Sequence, residues 1–464
     1  MSKHKKNKQL KEIPKLESLK QINFNAGGID IASAEIWVCV PEDRDPQPVR
    51  RFDTFTADLQ RAAAWLKRCG VDTVAMESTG IYWIPMYEIL EAQGIEVFLV
   101  NAHEVKNVPG RKSDILDCQW LQQLHTYGLL HRSFIPDQAI RKLRDLGDHR
   151  DNLVRHRGTQ IQYMQKALHL MNLQLDNVIT DITGKTGMAI IRDIERGQRD
   201  PKLLAQHRDP NCKNPIEVIE KSLEGNYSDE HLFQLKQSLE LYDFFSKKIA
   251  ECEKQIEQHY KRFHSKANPD DLPPTHKKDS RTKNKMHFDL RAQLFRLCGV
   301  DLTAIDSVNA IVAHTVIAHT GVDMSRWKTE KHFTSWLKLC PKNDTSAGNV
   351  LRRSVGKTQN KATLALKQAA KSLNRSHSYL GAYYRRMKAI HGPAKAATAA
   401  AHKIARIIYV MLKEQKEFVD LGEDYFMQKN KERQIKKLAK KANSLGFYLV
   451  RPANYQRLAT GSVS

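Results

Sequence analysis

Four carboxylates stand at positions where they could act together. Asp30 ends an apolar run in GGID, Glu77 ends another in AMESTG, and Asp114 and Asp117 stand three apart in RKSDILD. A spacing of three puts the last two on one face near the start of a helix. Carboxylates gathered at one point repel each other unless a hard cation neutralises them, and Mg²⁺ prefers oxygen ligands. Two such ions could bind there and polarise a scissile phosphate. Taken singly, each residue has a plainer reading: Asp114 as an N-terminal helix residue favoured by the dipole, Asp30 or Glu77 as a strand-end carboxylate held by turn amides.

The surrounding pattern decides whether they can meet. GGIDIASAEIWVCV reads as a strand that turns and pairs with a second, VRRFDTFT as a third strand and ADLQRAAAWLKRC as a helix. VDTVAMEST is a fourth strand, IPMYEILEAQG a helix, IEVFLVNA a fifth strand, and SDILDCQWLQQLHTYG a helix. This is an α/β unit with a mixed sheet, placed at residues 22–136. In a sheet ordered 3-2-1-4-5, the first and fourth strands are neighbours, which brings Asp30 beside Glu77. A helix packed across that sheet can deliver Asp114 and Asp117 to the same place.

The rest of the chain reads as all-α. Residues 1–21 form a basic arm, with seven lysines and two glutamates in the first 20 positions. Residues 137–263 carry apolar residues at coiled-coil or helical-hairpin spacing: Ile161, Met164, Leu168, Met171 and Leu175, then Leu235, Tyr242, Ile249 and Ile256. Such stripes are packing surfaces, suited to dimerisation or to a rigid spacer. Residues 264–289, with Pro269, Pro273 and Pro274 among dense charges, read as an exposed linker. A mostly helical unit spans 290–420, and 421–464 is a basic tail containing KNKERQIKKLAKK.

The 464 residues carry a formal net charge of +23, which favours a polyanionic partner because basic side chains on phosphates release condensed counterions. With 41% hydrophobic and 27% charged residues, the chain can bury a core and wet its surface. No apolar stretch reaches the length of a membrane span, and no secretory signal is visible. Seven scattered cysteines without a CxxC pair argue against a disulfide framework or zinc cluster and fit a reducing cytoplasm. The histidines lack metal-ligand spacing, and no P-loop or GxGxxG is present.

The carboxylate arrangement resembles the RuvC-like branch of the ribonuclease H fold. GIDIAS, MESTGIYW, LVNAHEVKNVPGRKSDILD and WLQQLHTYGLLHRSFIP, in that order over residues 27–136, resemble the amino-terminal domain of insertion-sequence family 110 transposases and the related Piv-type DNA invertases. The resemblance implies that Asp30, Glu77, Asp114 and Asp117 bind Mg²⁺, with Arg111 and Lys112 beside them contacting nucleic acid. LFRLCGVDLTAIDSVNAIVAHTVIAHTG has the pattern of a helix-hairpin-helix, and GVDMSRWKTEKHFTSWLKLCPKNDTSAGNVLRRS and HGPAKAATAAAHKIARIIYVML are similar to the family's carboxy-terminal domain. The family's nucleophilic serine matches Ser346 in TSAGN. Here Ala347 and Asn349 replace the usual glycine and lysine, and Thr345 and Ser354 are neighbouring hydroxyls. Arg352, Arg353, Lys357, Lys361, Lys367, Lys371 and Arg375 then punctuate what reads as a helical stretch with positive charge.

A serine hydroxyl is a poor nucleophile at neutral pH and needs a base or metal nearby, which would make the site a composite of two domains. The implied activity is DNA cutting and rejoining through a phosphoserine intermediate; Arg352 and Arg353 could stabilise the transition-state charge or equally contact a non-scissile phosphate. The implied partners are target and donor DNA, a structured noncoding guide RNA and further copies of the chain, as a dimer or a synaptic tetramer. The implied location is the bacterial cytoplasm at the nucleoid. A Mg²⁺-dependent Holliday-junction-type nuclease without serine catalysis, a site-specific invertase and a non-catalytic DNA-binding derivative are the alternatives.

Overall fold

Alternation along the first strand sets up the amino-terminal unit. In β1 (Ala26–Ile31), Ile29 and Ile31 point to one face of the sheet, so Gly28 and Asp30 lie on the other. β2 (Glu35–Cys39) and β3 (Val49–Asp53) continue as an antiparallel meander. The chain returns through α1 (Thr56–Arg68) to β4 (Thr73–Glu77), and through α2 (Trp83–Ala92) to β5 (Glu96–Val100); β4 pairs parallel with both β1 and β5. The observed order, β3-β2-β1-β4-β5, is the order expected from the sequence. We describe here a computed structural model, over residues 19–101, 114–274, 284–346, 349–355 and 360–449. The chain forms two compact units, residues 1–135 and 136–464.

One face of the sheet is a conventional apolar core. Ile29, Ile36, Val38, Val74, Met76, Val97 and Leu99 pack with Leu59, Trp65 and Leu66 of α1 and with Met86 and Leu90 of α2. The opposite face is covered by α3 (Asp114–Thr126), whose Trp120 and Leu121 pack with Ala75 and Val100. The mixed sheet domain followed by a mostly helical remainder is consistent with a RuvC-like fold.

In the second unit, the long stripes become an intramolecular pair. α4 (Gln138–Leu170) and α9 (Asp229–Lys261), each 33 residues long, run antiparallel, since Ala139 meets His259, Leu146 meets Cys252 and His156 stacks on Phe245. Between them α5 (Leu175–Val178), α6 (Lys185–Glu195), α7 (Pro201–Ala205) and α8 (Ile216–Ser222) fold onto the end of the pair. Met164, Leu168, Met171, Leu175, Leu235 and Leu239 all enter that one cluster. Of the two arrangements the spacing allowed, the helical hairpin is the one seen, with Ile161 and Tyr242 only partly buried at its edge.

The stretch read as an exposed linker is pinned at its described ends. Met286 is buried, and the Asn284 carbonyl accepts from Arg150 Nη2 at 2.7 Å. Beyond it follow α10 (Leu290–Cys298), α11 (Ala310–Thr320) and α12 (Glu330–Trp336), a two-stranded hairpin of β6 (Lys342–Ser346) and β7 (Asn349–Ser354), then α13 (Lys361–Ser372), α14 (Tyr379–His391), α15 (Pro393–Glu414) and α16 (Gly422–Ser444). Gly299 closes α10 in the left-handed conformation at φ 78°, giving the helix, glycine turn and helix anticipated there. The alanine-rich face of α15, from Ala396 to Ala405, allows close approach of its neighbours. The basic run of the tail is exposed along α16, and the amino-terminal arm before Leu19 lies outside the described residues. Among the described residues no helix is long and apolar enough to cross a membrane.

Candidate active site

Strand alternation and register assemble the carboxylates. Asp30 and Glu77 both sit on the α3 side of the sheet, because their neighbours Ile29 and Met76 point into the apolar core. Ile29 and Met76 are register partners, so one residue further on Asp30 and Glu77 stand side by side at the carboxyl ends of β1 and β4. Both side chains are half-buried, and Glu77 Oε1 accepts from Thr79 Oγ1 at 3.1 Å.

Gly28 determines how close α3 comes. A Cβ on Gly28 would lie 2.1 Å from the Cys118 carbonyl oxygen and 2.6 Å from the Gln122 amide nitrogen, both backbone atoms. Only glycine lets the helix lie this close, and Asp117 precedes Cys118 on that helix. Asp117 is half-buried. Cys118 is fully buried against Cys39, and that thiol, burial and the Asp30 charge raise its pKa, so it stays a thiol. The backbone of Asp114 opens α3; its side chain, Arg111 and Lys112 lie outside the described residues.

Among the described residues, no group of three or more His, Cys, Asp and Glu side chains is close enough together to hold a metal ion. The donor set nevertheless suits a hard divalent ion: all its members are carboxylates, three stand on adjoining elements, and the side chain of the fourth is not described.

Ser346 is the last residue of β6, where it pairs with Asn349, the first residue of β7, and it is exposed. Ala347 and Gly348 lie outside the described residues. The register shifts between Asp344 and Thr345, an irregularity that re-aims the end of the strand. Arg352 and Arg353 are in β7, opposite Asp344 and Asn343, and not in a helix as their place in the charge series implied. The run Asn349–Ser354 pairs as a strand, and helix begins only where the Asn360 side chain caps Ala362. Lys357 lies outside the described residues.

Three features escaped the sequence reading. The paired glycines of GGID inside a strand were a visible sign of close backbone approach. Lys361 was grouped with the nucleic-acid-facing charges, yet its Nζ lies 2.7 Å from Asp148 Oδ1. Lys403 lies over the rings of Tyr379 and Tyr383, at 5.0 and 4.5 Å, and burial lowers its pKa.

Residues 27–172 match the DEDD transposase family of IS110, and residues 285–385 match the transposase family IS116/IS110/IS902. No curated protein matches the chain.

Proposed function

On the premise that this chain carries two IS110-family transposase domains, we propose that it is the recombinase of a mobile element, cutting and rejoining DNA through a phosphoserine intermediate. What supports the reading is the pair Asp30 and Glu77, side by side on one face of a mixed sheet, with that face covered by the Asp117-bearing helix that Gly28 admits.

Asp30, Glu77, Asp114 and Asp117 would hold Mg²⁺. Such an ion, when bound, screens the charge of a phosphate and withdraws electrons from it. The half-buried setting of the carboxylates at the strand ends restrains their geometry for that task. Ser346, exposed at the end of a hairpin, is accessible to a duplex. Its oxygen would form a bond to phosphorus as the bridging oxygen of the DNA strand leaves and takes up a proton. One phosphodiester is exchanged for another, so no nucleoside triphosphate is consumed. Arg352 and Arg353, on the strand paired with that of Ser346, would stabilise the charge that builds on the phosphoryl oxygens. Arg111, Lys112 and Lys357 would contact the nucleic-acid backbone.

Target and donor DNA are the substrates of this reading. A structured noncoding RNA guides it, and further copies of the chain complete a synaptic assembly at the bacterial nucleoid. The net charge of +23 supports polyanionic partners.

The test uses purified protein with its co-purified RNA, Mg²⁺ and end-labelled junction DNA, resolved on denaturing gels with and without protease. A protein-linked strand that vanishes in Ser346→Ala supports serine transesterification. Free ends persisting in Ser346→Ala refute it in favour of a Mg²⁺-dependent hydrolytic nuclease of Holliday-junction type. Inverted rather than inserted product would make the protein a DNA invertase.

A further inference from the structure

The hairpin that carries Ser346 is flanked in the chain by two anchored segments, one ending at Cys340 and one beginning at Asn360, with residues 356–359 outside the described residues. On the incoming side, the Leu337 carbonyl accepts from Thr363 Oγ1 at 2.7 Å, and Thr363 is fully buried in the first turn of α13. The Cys340 thiol, just before β6, lies 3.3 Å from the Thr334 hydroxyl. On the outgoing side, Asn360 caps α13 and Lys361 is its first residue. Lys361 Nζ reaches Asp148 Oδ1 of α4 at 2.7 Å, and the same oxygen lies 3.5 Å from His319 Nε2 of α11.

The ground on which Asp148 stands is rigid. Gly147, beside it, faces His314 of α11 so closely that a Cβ there would come within 2.8 Å of His314 Nε2. His314 is buried, and its Nδ1 is hydrogen-bonded to the Tyr260 hydroxyl of α9 at 2.8 Å. Asp148 thus has a defined place relative to both long helices, and Lys361, the first residue of α13 and seven positions after the end of β7, is paired with it. Lys361 is one-third exposed, so it is engaged with this carboxylate rather than extended into solvent.

We propose that Asp148 is a positioning residue for the nucleophile: through Lys361 it fixes the start of α13, the anchor that follows the Ser346 hairpin in the chain. This rests on the serine reading above. A nucleophile on a two-stranded projection needs such an anchor, because an isolated hairpin is only marginally stable and small displacements of a reacting atom cost large factors in rate.

The experiment compares Asp148→Ala, Lys361→Ala and the exchanged pair Asp148→Lys with Lys361→Asp in the full RNA-loaded protein. Each is measured for DNA affinity across salt, for the single-turnover rate of protein–DNA linkage, and for amide hydrogen exchange over residues 342–354. The expected result is loss of linkage rate by about 10²-fold in each single variant, with affinity unchanged and partial recovery in the exchanged pair. Exchange protection falls in the hairpin and the first turn of α13, while α4 and α9 stay protected.

A Lys361→Ala variant that weakens DNA binding and lowers the salt slope by about one would overturn the proposal, making Lys361 a phosphate contact. Unchanged hairpin protection in Asp148→Ala would overturn it too, whatever the activity. If Ser346→Ala retains full cleavage, the serine reading has failed. A loss of hairpin protection in Asp148→Ala would still establish the clamp as a structural element.

Discussion

Gly28 of β1 and Cys118 of α3 approach so closely that no side chain fits between them: the Cys118 carbonyl oxygen lies 2.1 Å from where a Cβ would stand. Both obstacles are backbone atoms, so relief requires moving the helix. Gly28→Ala should destabilise the first unit by about 1–3 kcal/mol and displace α3, which carries Asp117. Chemical denaturation and Mg²⁺-dependent cleavage measure the two effects. A fully stable, fully active Gly28→Ala protein would show that the helix is free to lift.

The carboxylates should fail as a set. Asp30→Asn, Glu77→Gln and Asp117→Asn each preserve size and remove charge. Each is expected to lower cleavage by about 10²-fold or more while leaving the circular dichroism spectrum unchanged. Mg²⁺ titration followed by calorimetry should show weaker binding in all three. Activity in a variant with unaltered metal affinity would remove that residue from the site.

Arg150 and Glu253 form a buried pair between the long helices, with Arg150 Nε to Glu253 Oε1 at 2.6 Å and the side chains 3% and 1% exposed. The other carboxylate oxygen accepts from the His287 backbone at 3.0 Å. Glu253→Ala leaves a buried guanidinium without its anion, and about 3–5 kcal/mol should be lost from the second unit. Arg150→Met with Glu253→Leu should recover much of it. Urea unfolding of the single and double variants decides, and an additive double variant would contradict the pairing.

Stability should fall with acid through two buried imidazoles. Burial lowers the pKa of both His125 and His314 to about 4. Unfolded histidine titrates near 6.5, so between about pH 6.5 and 4 the unfolded chain binds more protons and stability rises with pH. Each residue should contribute up to about 3 kcal/mol of acid destabilisation, His125 in the first unit and His314 in the second. His125→Gln and His314→Gln should flatten the pH dependence of unfolding in their own units. Equal slopes in wild type and variants would show that other groups control it.

Much of the first unit was legible in the residues. The alternation of GGIDI and VAMES defines two strands with their carboxylates on the non-core face, and the order of strands and helices yields the observed sheet. These are local properties, period two in a strand and capping in a helix, and a local pattern carries them completely. The series from Arg352 to Arg375 misled because charge marks exposure and not backbone conformation: two of its arginines lie in a strand.

What tertiary structure alone decided are relationships between residues far apart in the chain. Nothing near Gly28 states that Cys118 will rest on it, and nothing near Lys361 states that Asp148, 213 positions away, will claim it. Likewise the apolar stripes of α4 and α9 specify that a partner exists without saying which. A side chain's type and period determine which face seeks burial or an opposite charge. Which distant segment supplies it depends on how the whole chain packs, and that packing chose the helical hairpin from the two arrangements the spacing allowed.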